Sequence, residues 1–320
     1  MEKNTVKVEG LWFSREMIVI KAEHKLFRVP AGILSARSSV FSDMMAFPQP
    51  LDEERIDGTP VLLVQDTADG FDAFLRAVYD TSFFMPAPAP VDLFTALSIL
   101  RLSHKYDIQY LHRRALDHLV VDGWYHQTYR GAQFSARRAD NPDVHLRVIA
   151  QSSPINALSV ISAATEVNAL WFLPYAYYCA STFSCNTLLA ASTTETQPYV
   201  QRCLLSHAAL LRATVSANQF LATRCRKEMC RDLLECRLSD FFASVVAGSC
   251  PNPLADSVVD LKVEGICDSC YENTVIQQHE AVCTFWEDLP QLYGLPSWAD
   301  LHLMKCVAMG PEDDVAGEGT

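Results

Sequence analysis

The pattern of apolar and polar positions changes near residue 125, and this change predicts two regions of different architecture. Apolar runs at residues 17–20 and 25–29 are separated by a short polar stretch, which is typical of a tight β-hairpin. Pro30 can begin a helix because its missing N–H would have no partner in the first turn. Two short helical patterns rich in small residues then continue to Met45.

The rest of the first region mixes one strand with longer helices. The pattern predicts a strand at Val61–Val64 and helices over Phe71–Tyr79, Leu93–His104 and Ile108–Leu119. A hairpin, a further strand and several helices predict an α+β region.

Beyond residue 125 the strand pattern ends and helical periodicity takes over. Helices are expected over Ile155–Val167, Ala169–Phe183, Tyr199–Phe220, Lys227–Ala243 and Glu272–Trp286, with a loop at Gly248–Asp256. A succession of helices without a fixed sequence repeat predicts an all-α C-terminal domain. The expected organisation is an α+β domain at 8–125, a helical domain at 126–310 and a disordered acidic tail at 311–320.

The segment from His24 to Met45 resembles the opening of the BTB/POZ domain. That signature combines a histidine-led strand, a leucine-bearing helix, Ala-x-Ser, and a phenylalanine followed by a methionine pair. The matching residues are His24, Phe27, Ile33-Leu34, Ala36-Arg37-Ser38, Phe41 and Met44-Met45, and the blocks Phe74–Tyr79 and Leu100–Tyr106 also fit.

Within that superfamily the chain is most similar to fungal, basidiomycete-type BTB proteins. The likeness lies in a Leu-Trp-Phe start, a Phe-Pro-Gln-Pro loop and a proline-rich insert. These are Leu11-Trp12-Phe13, Phe47–Pro50 and Met85–Pro90, and a closing motif over Phe285–Pro290 and Tyr293–Trp298 agrees with them. In the closing motif, Trp286, Tyr293 and Trp298 are expected to anchor the final helix in the core.

The resemblance implies an α+β fold in which short helices clasp a small sheet, and a protein–protein interaction function rather than catalysis. Domains of this family commonly form homodimers through the first strand and the helices of residues 30–45. The residues expected on this surface are Leu11, Trp12, Phe13, Ile33 and Leu34, with packing in the core as the alternative for each.

Some members of the family recruit substrates to cullin-type ubiquitin ligases, which makes an adaptor role the leading hypothesis. They dock through an apolar residue two positions before a glutamate, and Leu51-Asp52-Glu53 has this spacing. Phe41, Met44 and Met45 are expected to flank that docking segment. The alternative is a homotypic scaffold or transcription-associated regulator without ligase involvement.

Charge and hydropathy narrow the classes of partner. The formal net charge is −12, which repels a nucleic-acid backbone, so no nucleic-acid partner is expected. The first residues lack the apolar core of a signal peptide, and no apolar run reaches the length of a membrane span. The sequence therefore predicts a cytoplasmic or nuclear protein that is not secreted and has no membrane partner.

All 11 cysteines lie from Cys179 onward, and one pair has metal-ligand spacing. Cys267 and Cys270 form a CxxC motif that can bind one side of a tetrahedral zinc ion. Cys225 and Cys230 are the expected second pair, with Cys236, His279 and Cys283 as alternatives. Burial of the cysteines as small apolar residues is the competing interpretation, and a redox CxxC lacks the strand-to-helix context that it needs.

Sequence signatures of catalysis are missing. There is no GxGxxG, Walker-type GK[ST] or GxSxG segment, and His279-Glu280 has no second histidine at zinc-protease spacing. The chain is therefore expected to be non-enzymatic, without a small-molecule substrate and with a structural zinc ion as its one candidate cofactor.

Overall fold

The computed structural model describes residues 16–46, 55–121, 123–125, 153–248, 251–254, 261 and 264–310. The chain divides into two compact units between Val121 and Asp122, here called the N-terminal unit and the helical unit. Trp124 and Tyr125 therefore fall in the helical unit, although the expected boundary at residue 125 assigned them to the first domain. The start at residue 8 and the tail at 311–320 lie outside the described residues.

The sheet of the N-terminal unit has four strands in the order β2-β1-β4-β3. They are β1 (Met17–Ala22), β2 (Lys25–Pro30), β3 (Arg55–Ile56) and β4 (Thr59–Val64). β1 and β2 form the expected hairpin, in which Glu23 adopts a left-handed φ of 47° to close the turn. β1 pairs in parallel with β4, which requires the intervening chain to cross over the sheet.

Five helices of the described residues surround this sheet. They are α1 (Ala31–Arg37), α2 (Ser39–Ala46), α3 (Ala68–Tyr79), α4 (Leu93–Lys105) and α5 (Gln109–Val121). The expected elements are confirmed, but α3 begins three residues earlier than the pattern indicates. The Ala68 N–H donates to Glu23 Oε2 at 2.9 Å, so a side chain from the hairpin caps this helix.

The core of the N-terminal unit is aromatic. Phe41 stacks on Tyr106 with ring centroids 4.5 Å apart, and Phe71 and Phe74 pack against the same tyrosine. Ser38 links α2 to Tyr106, because its hydroxyl donates to the Tyr106 carbonyl and accepts from the Phe41 N–H. The two short helices α1 and α2 are thus held to the rest of the unit through one buried cluster.

The helical unit confirms the expected all-α architecture. Its helices are α6 (Pro154–Glu166), α7 (Leu173–Ser181), α8 (Cys185–Ala190), α9 (Gln197–Ala217), α10 (Glu228–Val246), α11 (Asp268–Leu292) and α12 (Trp298–Met309), with 3₁₀ helices at Leu170–Phe172 and Gln219–Ala222. The single helix expected over Ala169–Phe183 is interrupted, because Pro174 fits only in the first turn of a new helix. In the described part of the chain, no helix has the length and apolar character needed to cross a bilayer.

Helix α11 continues six residues beyond its expected end at Trp286, although Pro290 lies inside it. Proline has no N–H, so the Trp286 carbonyl four residues earlier loses its helical partner. The Trp298 indole N–H replaces that partner at 2.7 Å, and the two indole rings stack 5.2 Å apart. Tyr293 stacks on Tyr177 at 5.0 Å and is also fully buried, so the expected role of the three aromatic residues as core anchors is confirmed.

Candidate functional site

Four cysteines of the helical unit come together where two helices begin. Cys225 follows the 3₁₀ helix Gln219–Ala222, and Cys230 lies in the first turn of α10. Cys267 is the N-cap residue of α11, and Cys270 lies in its first turn. The fold thereby brings the two thiols near the start of α10 next to the two at the start of α11. Cys225 and Cys267 are 42 residues apart in sequence.

The four sulfur atoms have the spacing of a tetrahedral metal site. All four Sγ atoms lie within 4.8 Å of one another, and Cys225 Sγ is 3.8 Å from Cys267 Sγ. Four sulfurs each about 2.3 Å from a zinc ion would be about 3.8 Å apart, whereas disulfide-bonded sulfurs are about 2 Å apart. All four cysteines are unbridged, so the cluster could hold a metal ion.

Backbone groups at the helix starts favour negative charge on these sulfurs. The Lys227 N–H donates to Cys225 Sγ at 3.4 Å, and the Cys267 N–H donates to Cys230 Sγ at 3.5 Å. The backbone N–H of Cys270 lowers the pKa of Cys267 to about 7. Desolvation raises the pKa of Cys230 and of Cys270, so these two thiols hold their protons more tightly than Cys267 does, and a bound cation would have to displace those protons.

The alternative ligands expected from the sequence lie elsewhere. Cys236 is exposed beside Asp240, and Cys283 contacts His279 at 3.5 Å on α11. Within the described ranges, the group formed by Cys225, Cys230, Cys267 and Cys270 is the one cluster of three or more metal-ligating side chains.

The residues expected on the interaction surface separate into three groups. Leu34 and Phe41 are fully buried in the core of the N-terminal unit, so they present no side-chain surface to a partner. Ile33, Met44 and Met45 are partly exposed, and the Ser35 hydroxyl donates to Met45 Sδ at 3.1 Å between α1 and α2. The remaining five, Leu11, Trp12, Phe13, Leu51 and Glu53, lie outside the described residues.

The sequence interpretation missed a basic cleft on the N-terminal unit. Arg37 and Arg114 both approach the ring of Tyr110. Arg37 and Tyr110 are 73 residues apart, so no local pattern marks them as neighbours. The proximity of these two like charges is visible only after folding.

Comparison with known families identifies the first unit. Residues 17–122, about a third of the chain, match the model of the BTB/POZ domain. Comparisons with curated proteins and with solved structures gave no match. The chain therefore contains a BTB/POZ domain, a protein–protein interaction module, followed by a helical region. The expected likeness to fungal proteins of this class stays a prediction.

Proposed function

We propose that this chain is a self-associating BTB adaptor that brings partner proteins together without catalysing a reaction. The observation that carries the proposal is the BTB/POZ domain over residues 17–122, whose helices α1 and α2 leave apolar side chains partly exposed. In this proposal α1 and α2 mediate pairing, and the helical unit recruits the partner.

Most residues of the two short helices are not buried within the N-terminal unit. Of seven residues, α1 buries only Ala31 and Leu34, and α2 buries only Phe41 of eight. Ile33, Val40 and Met44 remain partly exposed beside them. Two copies related by a two-fold axis would bury these same side chains against each other, and an obligate interface of this type covers about 2,000 Å² or more.

Substitution of Ile33 by glutamate is expected to convert the dimer into monomers. A charge within a paired apolar surface has no partner and loses its hydration, so association becomes unfavourable. Sedimentation equilibrium should give twice 35.7 kDa for the parent chain and 35.7 kDa for Ile33→Glu. The control is Leu63→Glu on β4, where the parent side chain is 61% exposed. Equal masses for parent and Ile33→Glu would contradict pairing through α1.

Docking to a cullin is proposed through Leu51-Asp52-Glu53. Leu51→Arg combined with Glu53→Lys should abolish capture of a cullin scaffold by the full chain, because both the apolar contact and the acidic group are removed. Glu54→Lys changes the adjacent charge alone and should leave capture intact. Capture that persists in the double variant would exclude this segment. A parent chain that captures no cullin would favour the scaffold or regulator function.

We further propose that the four-cysteine cluster holds a structural zinc ion. The helix α10 buries only Cys230 and Leu234 among its 19 residues, so apolar packing fixes it weakly. These two pack in a small cluster whose other buried members are Phe220, Leu221, Leu261 and Ile266. Cores this small commonly need a metal or a disulfide as reinforcement. Four thiolates form the closed tetrahedral site that structural zinc prefers.

A further inference from the structure

The N-terminal unit carries a cleft of about 590 Å³ whose walls combine two arginines with apolar side chains. Arg37 at the end of α1 and Arg114 on α5 contribute the charge. Ala77, Met85 and Pro86 contribute the apolar surface, and Tyr110 lies between the two arginines. Met85 and Tyr110 are 51% and 40% exposed, so the cleft is open to a ligand from solvent.

Both guanidinium groups are held in place by neutral partners. Arg37 Nη1 donates to the Val78 carbonyl at 3.0 Å and to the Tyr110 hydroxyl at 2.7 Å. Arg114 Nη1 donates to the Phe84 carbonyl. The two Cζ atoms lie 5.4 Å and 5.9 Å from the centroid of the Tyr110 ring, so one aromatic side chain orients both cations.

Each guanidinium keeps an edge available for a ligand. An arginine side chain has five N–H donors, and the bonds described above use only Nη1 of each residue. Within the described residues of the N-terminal unit, carboxylates form ion pairs with Lys25, Arg76 and Lys105, and neither Arg37 nor Arg114 pairs with a described carboxylate. Two uncompensated cations in a chain of net charge −12 form a local site of opposite sign.

The wall formed by residues 84–86 is held firmly against α5. The Met85 carbonyl contacts His118 Nε2 at 2.8 Å, and the His118 ring packs on Phe84 with centroids 4.9 Å apart. Phe84 and His118 are both buried. The cleft is therefore preorganised, which lowers the entropic cost of binding a ligand.

We propose that this cleft binds an acidic peptide segment of a partner protein. Two carboxylates, two residues apart in an extended peptide, would accept hydrogen bonds from the free edges of Arg37 and Arg114. An adjacent apolar side chain would pack on Met85 and Pro86. The cleft includes Arg37 of α1 but none of Ile33, Val40 and Met44, and its test measures peptide binding rather than pairing or cullin capture.

The probe is a fluorescein-labelled peptide with the sequence Leu-Glu-Ala-Glu-Leu, measured by fluorescence anisotropy with the full-length chain. Arg37→Gln and Arg114→Gln should each weaken binding roughly tenfold, the loss expected for one charge-assisted hydrogen bond. Binding should also weaken in about 1 M salt, where the screening length falls to about 3 Å. Arg28→Gln removes the same charge from an exposed position on β2 outside the cleft and should bind like the parent.

A second peptide tests the proposal on the parent chain alone, so the result does not depend on whether an arginine variant folds. Leu-Gln-Ala-Gln-Leu has the same shape without the carboxylates, and the parent chain should bind it at least roughly tenfold more weakly. Equal affinity for the two peptides would overturn the proposal, as would unchanged binding in both arginine variants. Binding that requires phosphoserine in place of the two glutamates would overturn it as well, since the ligand would then not be a carboxylate peptide.

Discussion

Replacing Cys267 and Cys270 together with serine is expected to remove bound zinc and to unfold the start of α10. Serine hydroxyls do not replace thiolates as zinc ligands, so the two remaining cysteines cannot complete the tetrahedral site. Structural zinc sites in small domains contribute about 10–16 kcal/mol of apparent binding energy. Because α10 buries only Cys230 and Leu234, little other packing would keep its first turns in place.

The loss of folded structure should be confined to the surroundings of the cysteine cluster. The far end of α11 is fixed by Trp286 and Tyr293, which pack on Trp298 and Tyr177 away from the cysteines. Amide hydrogen exchange should therefore accelerate in α10 and at residues 264–270. Protection should persist in the N-terminal unit and at the end of α11.

Metal analysis of the parent chain should find one zinc ion per chain, and the double variant should contain none. The control is Cys185→Ser with Cys236→Ser, which removes two exposed thiols from outside the cluster. A parent chain purified with no metal would contradict the zinc proposal. Equal loss of protection in the control would show that the effect belongs to cysteine content rather than to this site.

Substitution of Trp286 by alanine should destabilise the helical unit by about 3–5 kcal/mol, the usual cost of removing a large buried aromatic side chain. Trp286 is 1% exposed, and its ring stacks on Trp298 and packs against Tyr175. The cavity would also loosen the indole of Trp298, whose N–H occupies the carbonyl left open by Pro290.

Urea unfolding followed by circular dichroism should show the transition of the helical unit at lower denaturant concentration in Trp286→Ala. The control is Val307→Ala on α12, where the parent side chain is 81% exposed and the change should stay within about 0.5 kcal/mol. A Trp286→Ala chain that unfolds with the parent would contradict the assignment of Trp286 as a core anchor.

Local periodicity predicted the fold well because most elements bury a regular stripe. The hairpin, the strand at residues 61–64 and the long helices follow from residues close together in sequence. The errors arose where a distant group intervened. Glu23 caps α3 from the hairpin, and Trp298 allows α11 to continue past Trp286 through Pro290.

The candidate sites, like the fold, could be predicted where the residues involved are close together in sequence and not where distant residues form them. The CxxC spacing indicated half of the cysteine cluster directly, and Cys225 and Cys230 could be proposed as the second pair because their spacing of five suits a turn that leads into a helix. Leu34 could not be assigned to core or surface from its pattern, since a short amphipathic helix can bury either face. The cleft has no sequence signature, because its lining comes from three separate segments, at Arg37, within residues 77–86 and within residues 110–114.

The central claim is that the BTB domain of this chain acts by pairing with a second copy. The most direct measurement co-expresses two full-length copies with different affinity tags, captures one tag and probes for the other. Pairing predicts that each copy captures the other and that Ile33→Glu in both copies abolishes this capture. Copies that never co-purify, or that co-purify equally well when both carry Ile33→Glu, would contradict the claim.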